Sequence, residues 1–269
     1  MKKIITLMLT VIMAVVSVFA FTACDPAADN SKTLYVYTNA GFAPYEYINA
    51  NGEVVGVDID VMKEVGEVLG YKVVINDIEF NQILVEVAKN KNAVGAAGMT
   101  KKPDRDDVAL ASIPYATSVQ YAIVPVGTFD ADDLVGGKLP VSKLAELSKK
   151  AIGVQEGTTG NFLIEDAIVE GGDIGTDFQC MTYTNAIVAS QDVGTTLGAV
   201  VVDKLPAQSI CSANSALECI ELVADVEEYV IYFNKEASEL VAKVNKVLEA
   251  MINGGIIDYY TLKHSGGIL

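Results

Sequence analysis

Residues 93–115, AVGAAGMTKKPDRDDVALASIPY, join an apolar run to a glycine, a hydroxyl and, five residues further on, an arginine. Gly98 allows backbone N–H groups to come close to a ligand. Thr100 adds a hydroxyl, and Arg105 a planar fork that pairs bidentately with a carboxylate. The set suits an anion. Taken alone, the same letters also describe an ordinary strand end with a surface arginine, because short motifs recur by chance.

Outward from this stretch, strand-like and helix-like segments alternate. TLYVYT at 33–38 is β-rich, and Asn51-Gly52 reads as a turn. Residues 58–69 place Val61, Met62, Val65, Val68 and Leu69 on one helical face, with Gly70 as the stop. Residues 71–75 predict a strand, 82–89 an amphipathic helix, and 93–97 the strand leading into the glycine. The pattern returns with a strand at 151–154, a helix over 159–168 and an apolar run at 197–202. YVIYF at 229–233 predicts another strand. From Ser238, Leu240, Val241, Val244, Val247, Leu248 and Met251 form a helical core stripe that Gly254-Gly255 ends, and a short helix over 256–263 follows. Strands alternating with helices imply α/β layers with largely parallel sheets, and the repetition implies two lobes.

The N-terminus predicts export. Lys2 and Lys3 precede a mainly apolar run from Ile4 to Phe21, and Thr22-Ala23-Cys24 follows. This is the layout of a secretory signal over residues 1–23. Cys24 resembles the lipidated cysteine of a lipobox, with Phe21 where leucine is more usual. A plain signal peptide or a membrane anchor has a similar outline, but the polar stretch DPAADNSK after Cys24 reads as a tether over residues 24–32. The expected location is therefore extracytoplasmic, anchored to the cell membrane.

The chain of 269 residues carries a net charge of −16; without residues 1–23, whose only charges are Lys2 and Lys3, 246 residues carry −18. Nucleic acid is excluded as a partner, since phosphate binding wants a basic face. His264 is the only histidine, and neither CxxC, a P-loop nor a strand-borne GxGxxG is present. A zinc site, a histidine-based triad and a nucleotide cofactor are not expected. Cys180, Cys211 and Cys219 leave at least one thiol unpaired within the chain, and Cys211 and Cys219 bracket a short loop that a disulfide would close.

The mature chain, from about residue 33 to 267, resembles the solute-binding proteins of polar-amino-acid ABC importers. TNAGFAPYEY at 38–47 is similar to that family's opening loop, and GEVVGVDID at 52–60 to the turn and helix start that follow. Gly98-Met99-Thr100 with Arg105 resembles its carboxylate clamp, and Ile113-Pro114-Tyr115 the next landmark. GVQEGTTG at 153–160 resembles the opening of the second lobe, and VVVD at 200–203 the strand that ends in an acidic ligand group. The resemblance implies two α/β lobes, each a mostly parallel sheet flanked by helices. Lobe one would comprise residues 33–121 and 228–269, lobe two residues 122–227, with two hinge crossings that close the lobes over a ligand.

It also implies roles. Arg105 would hold the ligand α-carboxylate, helped by Thr100 and the backbone at Gly98. Asp203, otherwise a candidate helix cap, would take the α-ammonium from the opposite lobe. Thr158 and Thr159 would sit at a helix N-terminus that suits a carboxylate or polar group. Phe42 and Phe80, otherwise core residues, would stack on the ligand side chain. Asn39 stands where members that bind basic amino acids often have an acid, so a neutral polar ligand such as glutamine or cystine is expected. Gly160 lacks a polar side chain that some relatives carry there. The implied partners are an amino acid, an ABC permease and the membrane through Cys24; a monomer without cofactor or metal is expected. Two other readings are a dehydratase of the same fold, with Arg105 holding a small carboxylate and Glu156 as the acid, and a sensor module that delivers its ligand to a receptor.

Overall fold

The computed structural model describes residues 32–266. The signal sequence, Cys24 and the tether as far as residue 31 lie outside the described residues.

The described chain builds two five-stranded sheets. In the first, the order is Lys72–Asp77, Thr33–Thr38, Ala93–Gly95, Tyr232–Phe233, Leu110–Ala111. In the second it is Gln179–Tyr183, Ala151–Gln155, Ala199–Asp203, Gln120–Pro125, Leu217–Glu221. Each sheet has four strands running one way and one reversed. The reversed strands, Tyr232–Phe233 and Gln120–Pro125, pair antiparallel with both neighbours. Each is the strand by which the chain enters a sheet after passing between the two. The passages themselves, Ala116–Ser118 and Glu227–Tyr229, pair antiparallel as a narrow ribbon, Glu227 opposite Ser118.

Alternation along the strands loads both faces of each sheet. In the second sheet Ala122, Val124, Ile152, Val154, Ala199 and Val201 pack with Ile164 and Ala167 of helix Thr159–Ala167. Ile123, Val200 and Val202 pack instead with Ala186, Ala189 and Ala207 of the helices Ala186–Ser190 and Lys204–Ala213. In the first sheet Leu34, Val36 and Val94 pack with Val61, Met62 and Val65 of helix Val57–Leu69 and with Val244, Val247, Leu248 and Met251 of helix Ser238–Asn253. Ile83 and Val87 of helix Ile83–Val87 cover the other face with Met99 and Tyr232.

Two elements differ from the sequence reading. The expected strand 229–233 is broken: Tyr229 belongs to the ribbon opposite Ala116, whereas Tyr232 pairs with Gly95 and Ala111 in the first sheet. One apolar run therefore serves two sheets. The expected helix 82–89 opens as a 3₁₀ turn, Phe80–Gln82, and its α-helical part ends at Val87. Helix Thr159–Ala167 and strand Ala199–Asp203 lie within two residues of their expected positions. Cys211 and Cys219 stand in contact as free thiols, and Cys180 is also free.

Candidate functional site

The strand ends of both sheets converge on a small cavity between the lobes. All nine residues singled out from the sequence line it: Asn39, Phe42, Phe80, Gly98, Thr100, Arg105, Thr158, Thr159 and Asp203.

Strand Ala93–Gly95 delivers Gly98 in the left-handed region, φ +53°. A Cβ there would lie 2.7 Å from the Phe42 ring, so only glycine allows this backbone turn and this aromatic contact together. The Gly98 N–H does not point to a ligand. It donates to Asp58 Oδ2 at 2.9 Å, and Tyr115 Oη donates to Asp58 Oδ1 at 2.6 Å. Asp58 is thus a buried brace under the loop, its carboxyl pushed up to about 6 by burial.

Arg105 is 6% exposed on the short helix Pro103–Asp106. Its Nη1 donates to the Thr100 carbonyl at 2.9 Å, and its Nη2 crosses to the Gly157 carbonyl of the second lobe at 3.0 Å. Its guanidinium lies 5.4 Å from the Phe80 ring centre, a cation–π distance. Two of five guanidinium N–H groups are used by these bonds, and the rest remain for a carboxylate.

Asp203 ends strand Ala199–Asp203 and precedes helix Lys204–Ala213, but its side chain makes no capping bond. It accepts from Tyr229 Oη at 2.6 Å. Burial, and then the nearby Glu227, push its carboxyl upward. An ammonium group would relieve that strain.

Thr158 caps helix Thr159–Ala167: its Oγ1 accepts from Asn161 N at 3.2 Å and donates to the Gln155 carbonyl at 2.8 Å. Its hydroxyl is therefore spent on the helix, and what this end can offer an anion is the unpaired N–H groups of the first turn. Gly160 has no room for a side chain, since a Cβ would meet Gln120 Oε1 at 2.8 Å and the Val201 carbonyl at 3.2 Å.

Sequence reading missed Glu46, Ala97 and Gln155, which complete the cavity lining. Glu46 is 1% exposed, and its Oε2 has no hydrogen-bond partner. Burial, followed by Asp58 and Asp203, drives its carboxyl well above the usual range. A buried carboxyl oxygen without a partner, on a residue that lines the cavity, calls for a donor. The available signal was an acid between two aromatics, Tyr45-Glu46-Tyr47, in a charge-poor loop. Gln155 donates through Nε2 to Asn39 Oδ1 at 2.8 Å, and Asn39 Nδ2 donates to the Ile78 carbonyl at 2.7 Å. The two amides tie the lobes together. Glu156, the acid of the dehydratase reading, is exposed and absent from the cavity lining, because its neighbour Gln155 takes the inward position on the strand end.

Two sheets joined by a double crossing, with opposed charged groups in the cleft, define a two-lobed solute-binding protein. Residues 34–266 match the family of bacterial extracellular solute-binding proteins, family 3, and the chain belongs to that family. The arginine-binding extracellular protein ArtP of Bacillus subtilis is 24% identical over 262 residues, covering 93% of this chain and 94% of that protein. An ancestral arginine-binding protein solved with arginine is 29% identical, with a TM-score of 0.73 over 86% of this chain and 97% of its own. The same kind of ancestral protein solved with glutamine is 28% identical, again with a TM-score of 0.73 and the same coverage, 86% and 97%. The chain is a substrate-binding protein of amino-acid ABC transport and not an enzyme.

Proposed function

We propose that this protein captures an L-α-amino acid whose side chain ends in a cation, arginine foremost, and delivers it to an ABC importer. Arg105 takes the α-carboxylate together with the first turn of helix Thr159–Ala167. Asp203 takes the α-ammonium from the other lobe. Phe42 and Phe80 flank the side chain, and Glu46 accepts from its end. The observation that supports this reading is Glu46, a cavity-lining residue whose buried carboxyl carries an oxygen without a hydrogen-bond partner. It supplies the acid that Asn39 does not. The arginine-binding relatives support the same ligand.

Glutamine is the second reading, in keeping with the neutral polar ligand expected from Asn39. The linked amides of Asn39 and Gln155 line the same cavity, and a relative holds glutamine. A thermal-shift panel of the common L-amino acids on unfolded and refolded protein separates the two. A ligand at about a thousand times its Kd adds about 4 kcal/mol of stability. We expect the largest shift with arginine, and its loss with arginine but not glutamine in Glu46→Gln. A larger shift with glutamine in the wild type selects the second reading; no shift with any amino acid refutes both.

The boundaries expected at 121 and 228 shift slightly: with strand Gln120–Pro125 in the second sheet and Ala116–Ser118 and Glu227–Tyr229 as the crossings, lobe one is assigned to residues 33–115 and 230–266 and lobe two to 119–226. The protein acts as a monomer outside the cytoplasm, held by a lipid on Cys24 and the tether after it. Globomycin-sensitive processing and radiolabelled-lipid incorporation, both lost in Cys24→Ala, test the anchor.

A further inference from the structure

Behind the cavity stands a carboxylate that does not line it. Glu227 opens the return crossing, paired with Ser118. Its Oε2 accepts from Thr159 Oγ1 at 2.8 Å and from Thr100 Oγ1, and its Oε1 accepts from Gln120 Nε2 at 2.7 Å. One side chain on the hinge ribbon therefore gathers a hydroxyl from the first lobe and a hydroxyl from the second. Both threonines line the cavity, as does Asp203.

A hydroxyl has one proton, and a carboxylate can only accept. Each threonine proton is committed to Glu227. The Thr100 oxygen thus keeps its lone pairs for the cavity. Thr159 Oγ1 takes one further bond from Gln120 Nε2, at 3.2 Å, and keeps one. We propose that Glu227 is a positioning residue of the ligand site: by taking the hydroxyl protons of Thr100 and Thr159 it makes both oxygens acceptors and so selects a ligand with an α-ammonium over one with an α-hydroxyl. The proposal rests on the amino-acid reading above. Beside Asp203, the two oriented threonines make an end of the cleft rich in acceptors. An ammonium brings three donors to such a site; a hydroxyl brings one donor and lone pairs that meet other lone pairs. Glu227 acts only through the threonines, and its own negative charge behind them adds to the preference for a cation.

The test is calorimetric titration of the purified protein with L-arginine, L-glutamine and the α-hydroxy counterpart of each. In the wild type the amino acid binds far more tightly than its hydroxy counterpart. Glu227→Gln places a donor amide against the threonines, and the preference falls tenfold or more. Glu227→Asp keeps the carboxylate, and the preference stays within about threefold of wild type. Glu227→Ala gives the same loss as the amide if the amide variant does not fold. A role in folding alone would weaken both members of each pair equally, and an unchanged preference in Glu227→Gln and Glu227→Ala overturns the proposal. If the wild type binds neither amino acid, the amino-acid reading fails and takes this proposal with it.

Discussion

Arg105 is the side chain on which the proposed ligand site depends. It is buried, bonded to both lobes, and left with donors for an anion. Removing it leaves a ligand carboxylate unpaired in a desolvated site, a loss of about 3–5 kcal/mol. Arg105→Ala is therefore expected to weaken amino-acid binding at least a hundredfold in calorimetry, and Arg105→Lys also fails because an ammonium has no planar fork. Gly98 answers to geometry instead. Alanine there meets the Phe42 ring at 2.7 Å and a φ of +53°, and we expect Gly98→Ala to cost at least about 2 kcal/mol in urea unfolding. Asp58 adds a pH dependence. Its carboxyl sits at about 6 in the folded chain, above its unfolded value of about 3.9. The stability from this raised pKa is fully present below pH 4 and is lost as pH rises through 6, on the order of 2–3 kcal/mol. Urea midpoints should fall between pH 4 and pH 7 by more in the wild type than in Asp58→Asn; equal falls would remove Asp58 from the account. Residue by residue, the sequence singled out Arg105 by its spacing after Gly98 and Thr100, and Asp203 only through the family resemblance. It did not reveal that the Gly98 N–H and the Thr158 hydroxyl are already spent on Asp58 and Asn161. Those partners lie in the local fold and not in the motif. Glu46 was hidden for the converse reason: one acid in a loop reads as surface, and only burial gives it meaning.

At the scale of elements, helix Thr159–Ala167 is set by its cap. The Thr158 hydroxyl holds the Asn161 N–H, and Thr158→Ala should cost about 1 kcal/mol while Thr158→Ser costs a few tenths at most. Thermal unfolding of the two variants measures this, and equal melting points would mean the cap is idle. Helical stripes such as Leu240 to Met251 were legible because their period of 3.6 is independent of partners. Strand direction was not. The reversed strands Gln120–Pro125 and Tyr232–Phe233 carry the same β-branched and aromatic letters as parallel ones. Their direction follows from where the chain crosses, and that is a property of topology. The broken run at 229–233 has the same cause.

For the whole molecule, the lobes already meet. Gln155 reaches Asn39, Arg105 reaches Gly157, and Lys102 Nζ stands 3.9 Å from the Phe162 ring centre across the cleft. Neither residue lines the cavity, and the contact joins the two lobes. Its loss should favour the open form by about 0.5–2 kcal/mol, and affinity falls in proportion to the closed fraction. Phe162→Ala should therefore bind every ligand a few-fold more weakly and raise the radius of gyration of the ligand-free protein in small-angle scattering. Unchanged scattering and affinity would deny the contact any part in closure. A ligand shifts such an equilibrium only through contacts made in the closed form, and under the proposed function a carboxylate on Arg105 and an ammonium on Asp203 would supply them from opposite lobes. The most direct measurement is calorimetric titration of wild type, Arg105→Ala and Asp203→Asn with L-arginine. One site per chain is expected in the wild type and a loss of at least a hundredfold in both variants, with folding intact by circular dichroism. Wild-type affinity in the two variants would contradict the roles proposed for Arg105 and Asp203.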